Sequence, residues 1–259
     1  MDYISFIPIE LIELIIPFLD TEDLTSFLEF HNVKDFINWT SVYILHFLHF
    51  KNVDYEEYFK FLSIEKLKDE LKLEETVEEI YNLKTLNLSV KQMKTIPKEI
   101  GNLINLKKII LNNNQITDVP DTIGNLTNLR ELYLNNNQIT EIPKGLGNLV
   151  KLKCLYLCNN QITEIPKGLG NLINLQYLFL NNNKIVDVPK SLGNLINLKI
   201  LNLSNNKIEI IFKTRIDVPG PKGLGNLVNL ELLYLYNNEL NNEEVIKLKL
   251  LLPNTQLNL

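Results

Sequence analysis

LTNLRELYLNNNQITEIPKGLGN, residues 126–148, is the stretch that decides the fold, because the chain repeats its pattern along most of its length. The pattern begins again at Leu149, Leu172 and Leu195, each time after 23 residues, and an earlier copy begins at Leu103. A fixed period of this length predicts a repeat architecture, in which each copy forms one structural unit that stacks on its neighbours.

Each copy contains a short predicted strand. In the quoted stretch Leu132 and Leu134 alternate with Tyr133, which is the periodicity of a strand with one buried face. One such strand cannot bury its apolar face alone, so the stacked copies should form a continuous parallel sheet. The asparagines that end the strands are expected to satisfy backbone groups in the turn, the alternative being a ligand-binding row: Asn114, Asn137, Asn160, Asn183, Asn206 and Asn238.

The second half of each copy returns the chain to the next strand. Its proline lacks an amide donor and has a fixed φ, so the return should be extended or 3₁₀-like and not a long helix. The glycine that follows is expected to let the chain turn back. These positions are occupied by Pro120, Pro143, Pro166 and Pro189, and by Gly124, Gly147, Gly170 and Gly193.

The consensus L-x-x-L-x-x-[LI]-x-L-x-x-N-x-I-x-x-[IV]-P-x-x-[IL]-G-N resembles the leucine-rich repeat of the 23-residue intracellular type, over roughly residues 80–259. The resemblance implies an α/β solenoid with a curved parallel sheet and a convex side of 3₁₀ or extended segments. Two copies depart from it. The first has Lys91 in place of the asparagine, and the sixth has nine extra residues around 211–221, expected to form an exposed loop or, alternatively, a binding loop.

The C-terminus departs from the repeat as well. Asn242 is followed by EEVIKLKLLL and by Pro253, which predicts a capped helix from about residue 241. TQLNL then predicts one more short strand. Together they should cover the open end of the solenoid.

The resemblance implies that the concave face of the sheet is the binding surface. Two apolar groups point outward there: a stripe of Ile110, Tyr133, Tyr156 and Phe179, and a flanking group of Tyr177, Ile200, Leu232 and Tyr234. Contiguous exposed apolar surface usually marks an interaction site, and aromatic side chains are typical anchors. We therefore predict that a target protein binds here, the alternative being that these side chains only pack across strands.

Charge divides the chain near residue 80. Residues 1–80 carry 18 acidic and 6 basic side chains, a net charge of −12, and residues 81–259 carry 13 acidic and 20 basic ones, a net charge of +7. This change of sign predicts a domain boundary. The lysines of the second part are spread through the repeats and not gathered in one run, so no nucleic-acid partner is predicted.

A cytoplasmic location is predicted, in the host cytoplasm if the protein is viral. No stretch reaches the roughly 18 uncharged apolar residues of a membrane helix, and the N-terminus lacks the basic leader of a secretory signal. If Cys154 and Cys158 lie on one strand, their Cα atoms are about 13 Å apart, too far for a disulfide. No membrane partner is expected, and a reducing compartment fits best.

No enzyme is predicted. The sequence has neither a P-loop nor a G-x-S-x-G motif. His46 and His49 lie three residues apart among phenylalanines and a leucine, without further histidine or cysteine companions, which indicates a packed helix and not a metal site. Catalytic residues, metal ligands and cofactors are therefore all expected to be absent.

IPIELIELIIPFLDTEDL, residues 7–24, does not belong to the repeat. Its apolar residues have helical spacing, Pro17 should end or bend this first helix near Ile16, and Asp20 or Thr21 should open a second. The segment resembles an F-box over about residues 5–45, with Ile7-Pro8 and Asp23-Leu24 at the positions of its Leu-Pro and Asp-Leu pairs.

The F-box resemblance implies an adaptor that recruits a target to a cullin-type ubiquitin ligase. Its Skp-type subunit would bind Pro8, Leu11, Ile15, Leu19 and Leu24. The domains would be a helical F-box-like domain (1–50), an acidic helical connector or cap (51–79) and the solenoid (80–259). In the alternative, a plain interaction or scaffold protein, residues 7–24 form a helical cap packed on Leu83, Leu86 and Leu88.

Overall fold

The computed structural model describes residues 55–211 and 223–259, with side chains from residue 63 onward. Its helices are α1 (Tyr55–Leu71), α2 (Val77–Asn82) and α3 (Asn242–Leu251). The strands are β1 (Thr85–Asn87), β2 (Lys108–Ile110), β3 (Glu131–Tyr133), β4 (Cys154–Tyr156), β5 (Tyr177–Phe179), β6 (Ile200–Asn202), β7 (Leu232–Tyr234) and β8 (Gln256–Asn258). The predicted F-box-like segment, and all of the 211–221 insertion except Ile211, lie outside the described residues.

The strands form one parallel sheet of 8 strands in sequence order. Equivalent residues of successive copies are paired, as Leu132 is with Ile109 on one side and with Leu155 on the other. The middle residue of each strand from β1 to β7 is buried, and its two neighbours lie on the opposite, open face. The predicted α/β solenoid with a parallel sheet is thereby confirmed.

Five of the returns are 3₁₀ helices that begin directly after a proline: Lys98–Asn102, Asp121–Asn125, Lys144–Asn148, Lys167–Asn171 and Lys190–Asn194. Each proline carbonyl accepts the N–H of the third residue of its turn, as in the 3.1 Å bond from Leu146 N to Pro143 O. The predicted 3₁₀ character of the returns is correct. These tight turns contribute Ile123, Leu146, Leu169 and Leu192 to the core opposite the strands.

The glycines of the returns have a different role from the predicted one. None of Gly124, Gly147, Gly170 and Gly193 has a positive φ, so conformational freedom is not what the turn requires of them. A Cβ atom on any of them would instead collide with a backbone carbonyl of the next return. The glycines therefore set the close spacing of successive copies.

The asparagines after β2 to β7 satisfy backbone groups of the turn, as predicted, and they also link neighbouring copies. Asn160 Oδ1 accepts the N–H of Ile139 at 3.0 Å, and its Nδ2 donates to the carbonyls of Leu134 and Leu157 at 3.0 and 3.1 Å. Asn137, Asn183 and Asn206 make equivalent contacts and are buried. A row so fully engaged with the backbone leaves no group for a ligand.

The stack continues across the long insertion. Ile200 of β6 pairs with Leu232 of β7, although 32 residues separate them. Ile208 N donates to Asn238 Oδ1 at 3.0 Å, the bond that links other neighbouring copies. The extra residues therefore leave the sheet register intact.

Helices cover both ends of the described core. At the N-terminal end Ile64 and Leu67 of α1 and Ile80 of α2 are buried in the same apolar cluster as β1, and Lys66 Nζ lies 2.7 Å from Glu99 Oε1. At the C-terminal end α3 buries Leu248, and β8 pairs with β7. The helix cap is Asn241, which accepts the N–H of Glu244, and not the predicted Asn242, which is the first helical residue.

Candidate functional site

The open face of the sheet carries the predicted aromatic stripe as one continuous row. Ile110, Tyr133, Tyr156 and Phe179 are direct neighbours on β2 to β5. All four side chains are half-buried. We call these four residues the aromatic row.

The rings of the aromatic row are stacked on one another. The ring centroids of Tyr133 and Tyr156 lie 4.7 Å apart with their planes at 10°, and those of Tyr156 and Phe179 lie 4.7 Å apart with their planes at 6°. This spacing is close to the separation of neighbouring strands, about 4.8 Å, so the sheet register itself imposes the stack. Cross-strand packing therefore exists here, and the stacked side chains remain partly exposed.

The N-terminal end of the row is polar. Lys108 Nζ lies 2.8 Å from Glu131 Oε2, and the Tyr133 hydroxyl donates to the same oxygen at 2.9 Å. Lys108 Nζ also lies 4.8 Å from the centre of the Tyr133 ring, on a neighbouring strand. The three groups form one network that fixes the Tyr133 ring.

The charges of this network stabilise each other. The hydrogen bond from Lys108 holds the pKa of the Glu131 carboxyl below its usual range, and the same bond raises the pKa of the Lys108 ammonium. Burial, together with the bond to Glu131, raises the pKa of the Tyr133 hydroxyl. Sequence reasoning missed this network, although the opposite charges of Lys108 and Glu131 occupy equivalent positions of adjacent copies.

The second predicted apolar group divides between two rows of the open face. Tyr177, Ile200 and Leu232 are neighbours on β5 to β7, and all three are half-buried. Tyr234 instead continues the register of the aromatic row, where Asn202 separates it from Phe179. The structure thus places all eight predicted residues on one face, in two adjacent rows.

The two cysteines flank Tyr156 on this face. Both are free thiols, and burial raises the pKa of each of them. A raised pKa leaves little of the nucleophilic thiolate at neutral pH. Neither cysteine therefore has the environment of a reactive or catalytic thiol.

Basic side chains form a further row where the strands begin. Lys84, Lys107, Arg130 and Lys153 are exposed, and each is the residue directly before a strand. Their backbones are bonded in sequence: Lys107 N donates to Lys84 O, Arg130 N to Lys107 O, and Lys153 N to Arg130 O, each at 2.8 Å. We call these four residues the basic ridge.

The basic ridge corrects one step of the sequence interpretation. The basic residues are far apart along the chain, which predicts that they are dispersed over the surface. A separation of one repeat period, such as that between Lys107 and Arg130, instead places two residues side by side on neighbouring strands. The four basic residues are therefore far apart in the sequence but adjacent in the structure.

Among the side chains of residues 63–211 and 223–259, no group of three or more histidines, cysteines, aspartates or glutamates is placed to hold a metal ion. No helix in those ranges is long and apolar enough to cross a membrane. The predicted ligase-binding residues Pro8, Leu11, Ile15, Leu19 and Leu24 lie outside these ranges.

Three solved structures show similarity to this chain. A leucine-rich repeat protein from Leptospira interrogans is 32% identical, with a TM-score of 0.54, and the match covers 71% of this chain and 50% of that one. An internalin from Listeria monocytogenes is 28% identical, with a TM-score of 0.50, over 68% of this chain and 54% of that one. The functional domain of InlJ, also from Listeria monocytogenes, is 21% identical over 60% of this chain and 30% of that one, with a TM-score of 0.50, and shows the fold alone.

The chain spans about half the length of the first two of these structures. No curated protein matches it. The family model described as a leucine-rich repeat region matches residues 49–152 and 143–252, which is most of the chain. The stacked parallel strands, the asparagine contacts between copies and this match lead to one conclusion: the chain belongs to the leucine-rich repeat family.

Proposed function

We propose that the chain is a non-catalytic adaptor that binds a target protein on the open face of its sheet. The observation that carries this proposal is the aromatic row, with Tyr177, Ile200 and Leu232 beside it, which forms a contiguous half-buried apolar surface. Aromatic side chains held in place before binding make good anchors, because little conformational entropy is lost when a partner covers them. The stack and the Lys108–Glu131–Tyr133 network hold the rings in this way.

The geometry of the open face favours the binding of a protein over catalysis. A catalytic site needs a nucleophile or an acid–base pair in a recess that excludes water. The cysteines of this face have raised pKa values, and Glu131 is neutralised by Lys108. A broad, exposed surface with fixed rings supports recognition of another protein.

We further propose that residues 7–24 recruit the Skp-type subunit of a cullin-type ubiquitin ligase. The support comes from the helices α1 and α2, which lie directly before the first repeat. Ile64, Leu67 and Ile80 already cover the apolar core beside β1, so residues 7–24 are not required as its cap.

The alternative is a leucine-rich repeat scaffold that has no link to a ligase. The matched family model begins at residue 49, so it gives no support to an F-box at residues 7–24. The two functions share the open face as the target-binding surface. They differ only in whether a Skp-type subunit binds the N-terminal segment.

A binding assay between the full chain and a purified Skp-type subunit tests the ligase proposal. The full chain is used because a fragment that ends near residue 80 would separate α1 from the repeat that it packs on. We expect binding by the wild type and loss of binding by the double variant Pro8→Ala, Leu11→Asp. Absence of binding by the wild type would leave the scaffold as the function.

Target binding is tested by comparing the proteins that co-purify with the full chain and with a Tyr156→Ser, Phe179→Ser variant. The matched control is Val150→Ser, Ile173→Ser, which removes two exposed apolar side chains outside the strands. We expect the open-face variant to lose partners that the control retains. Equal recovery by both variants would show that the open face is not the binding surface.

A further inference from the structure

Among residues 63–211 and 223–259, no acidic side chain forms an ion pair with the basic ridge. The ion pairs formed in residues 63–211 and 223–259 involve other lysines: Lys66, Lys108, Lys199 and Lys247. Glu131 is the acidic side chain nearest in sequence to Arg130, and it is already bonded to Lys108 and Tyr133. Within the part of the chain whose side chains are described, the basic ridge therefore presents four positive charges without an ion-pair partner.

This arrangement is unfavourable for the isolated protein. Neighbouring strands lie about 4.8 Å apart, and like charges directly opposite each other on adjacent strands destabilise a sheet. A bound anionic partner would remove this repulsion. Acidic side chains of a partner would therefore gain more here than at scattered surface lysines.

The basic ridge lies at the edge of the sheet where the strands of the aromatic row begin. Lys107, Arg130 and Lys153 precede β2, β3 and β4, which carry Ile110, Tyr133 and Tyr156. The two rows are three residues apart along the chain, which corresponds to about 10 Å in extended backbone. The side chains on the two edges of one peptide segment span such a distance, so a single ligand can contact both rows.

We propose that the open face binds an acidic peptide segment that also carries aromatic or aliphatic side chains. Its carboxylates contact the basic ridge, and its apolar side chains contact the aromatic row. This inference rests on the proposed target-binding function and specifies the chemistry of the target.

The geometry of the rings disfavours a nucleic acid as the ligand. Single-stranded nucleic acids bind by stacking bases on the free faces of aromatic rings beside a basic groove. Tyr156 has a neighbouring ring on each face, and Tyr133 lies between Tyr156 and the ammonium of Lys108. Neither tyrosine offers a face to a base, whereas the exposed part of each side chain is open to side chains of a peptide.

The test is a selection of random-sequence peptides on the immobilised full chain, followed by affinity measurements on the selected peptides. The ridge variant is Lys107→Gln, Arg130→Gln, Lys153→Gln. Its matched control is Lys144→Gln, Lys167→Gln, Lys190→Gln, which removes three exposed charges from the 3₁₀ returns. A single-stranded oligouridylate is measured with the same proteins.

We expect the selected peptides to be rich in aspartate and glutamate near apolar residues. The ridge variant should weaken their binding by about tenfold at low salt, and by less at high salt, because exposed charges are screened. The control should bind them like the wild type. The variants Tyr156→Ser and Phe179→Ser, each with its folding verified by circular dichroism, should also weaken binding.

The proposal is overturned if no peptide is selected, if the selected peptides lack an acidic excess, or if the ridge variant binds them as tightly as the wild type. In the last two cases, weaker binding by Tyr156→Ser would retain the open face as a protein-binding surface with a different ligand chemistry. Insensitivity to Tyr156→Ser as well would remove the proposed function too. Ridge-dependent binding of oligouridylate that is tighter than that of any peptide would replace the acidic peptide with a nucleic acid.

Discussion

The carbonyl oxygen of Gly168 lies 2.6 Å from the position that a Cβ atom on Gly147 would occupy. Both residues belong to 3₁₀ returns, Lys144–Asn148 and Lys167–Asn171, so the obstacle is backbone and cannot rotate away. Gly168 itself has open space, since the nearest atom to its own Cβ position is Lys144 O at 3.9 Å. A side chain is therefore excluded by the neighbouring backbone at Gly147 and is accommodated at Gly168.

Gly147→Ala should lower the free energy of unfolding by about 2 kcal/mol, because an inserted methyl group must push two returns apart. Gly168→Ala should be neutral or should stabilise by up to about 1 kcal/mol, because alanine restricts the unfolded chain and meets no obstacle. Urea unfolding of both variants measures the difference. Equal effects of the two substitutions would contradict the close packing of the returns.

Asn183→Ala should lower the free energy of unfolding by about 3 kcal/mol. The substitution removes the acceptor of Ile162 N and the donor to the carbonyls of Leu157 and Leu180, all at 3.0 Å, and it leaves these groups buried. Asn181→Ala is the matched control in the same turn, because its half-exposed side chain makes no hydrogen bond within the described residues. The expected effect of the control is below about 0.5 kcal/mol. Similar losses in the two variants would argue against the inter-copy bonds.

The asparagines show how much of the structure the sequence predicts. The role of Asn160 follows from its position, because an asparagine recurs at the same place after β2 to β7, where backbone groups of the turn must be satisfied. The role of Asn136 does not. Its φ is 58°, and its Nδ2 donates to Asn113 Oδ1 at 2.6 Å, one copy earlier. Such a side-chain ladder depends on the exact spacing of the stacked copies, which a pattern of residue types does not contain.

The sequence predicts which residues lie on the open face, but it does not predict the contacts between their side chains. The period alone assigned Tyr133, Tyr156 and Phe179 to one row, because strand alternation determines which side chains face outward. It did not give the parallel stacking of the rings or the bond from Tyr133 to Glu131. The basic ridge was accessible from the same period, had charges been compared by position in the repeat and not by distance along the chain.

Val90→Asn should raise the free energy of unfolding by about 1 kcal/mol. Val90 has a φ of 58°, and asparagines take this left-handed position in later copies, for example Asn113 and Asn136, also at 58°. A β-branched side chain is strained there, and Val90 is 68% exposed, so little packing is lost on replacement. The measurement is urea unfolding, with Asn136→Val as the reverse substitution, which should destabilise. Destabilisation by Val90→Asn would mean that Val90 makes a contact worth more than its strain.

The ion pair between Lys66 and Glu99 should make the attachment of α1 sensitive to acid. Lys66 Nζ lies 2.7 Å from Glu99 Oε1, and the Glu99 side chain is 10% exposed. Burial alone would raise the pKa of the Glu99 carboxyl, but the hydrogen bond from Lys66, a backbone hydrogen bond and the charge of Lys66 together outweigh it and hold this pKa below its usual range. A lowered folded-state pKa means that the stabilisation is complete above the unfolded-state pKa of about 4.3 and is lost as the pH falls through the folded-state pKa.

Glu99→Gln should therefore cost about 1 kcal/mol of unfolding free energy at neutral pH, and the difference from the wild type should disappear in acid. Urea unfolding as a function of pH measures this difference, and hydrogen exchange at Ile64 and Leu67 shows whether α1 is the part that loosens. Lys66→Gln and the double variant complete a cycle that isolates the pair from other titrating carboxylates. If the ion pair stabilises the N-terminal end, Glu99→Gln adds little once Lys66 is replaced; strictly additive effects would mean that each side chain acts through other contacts.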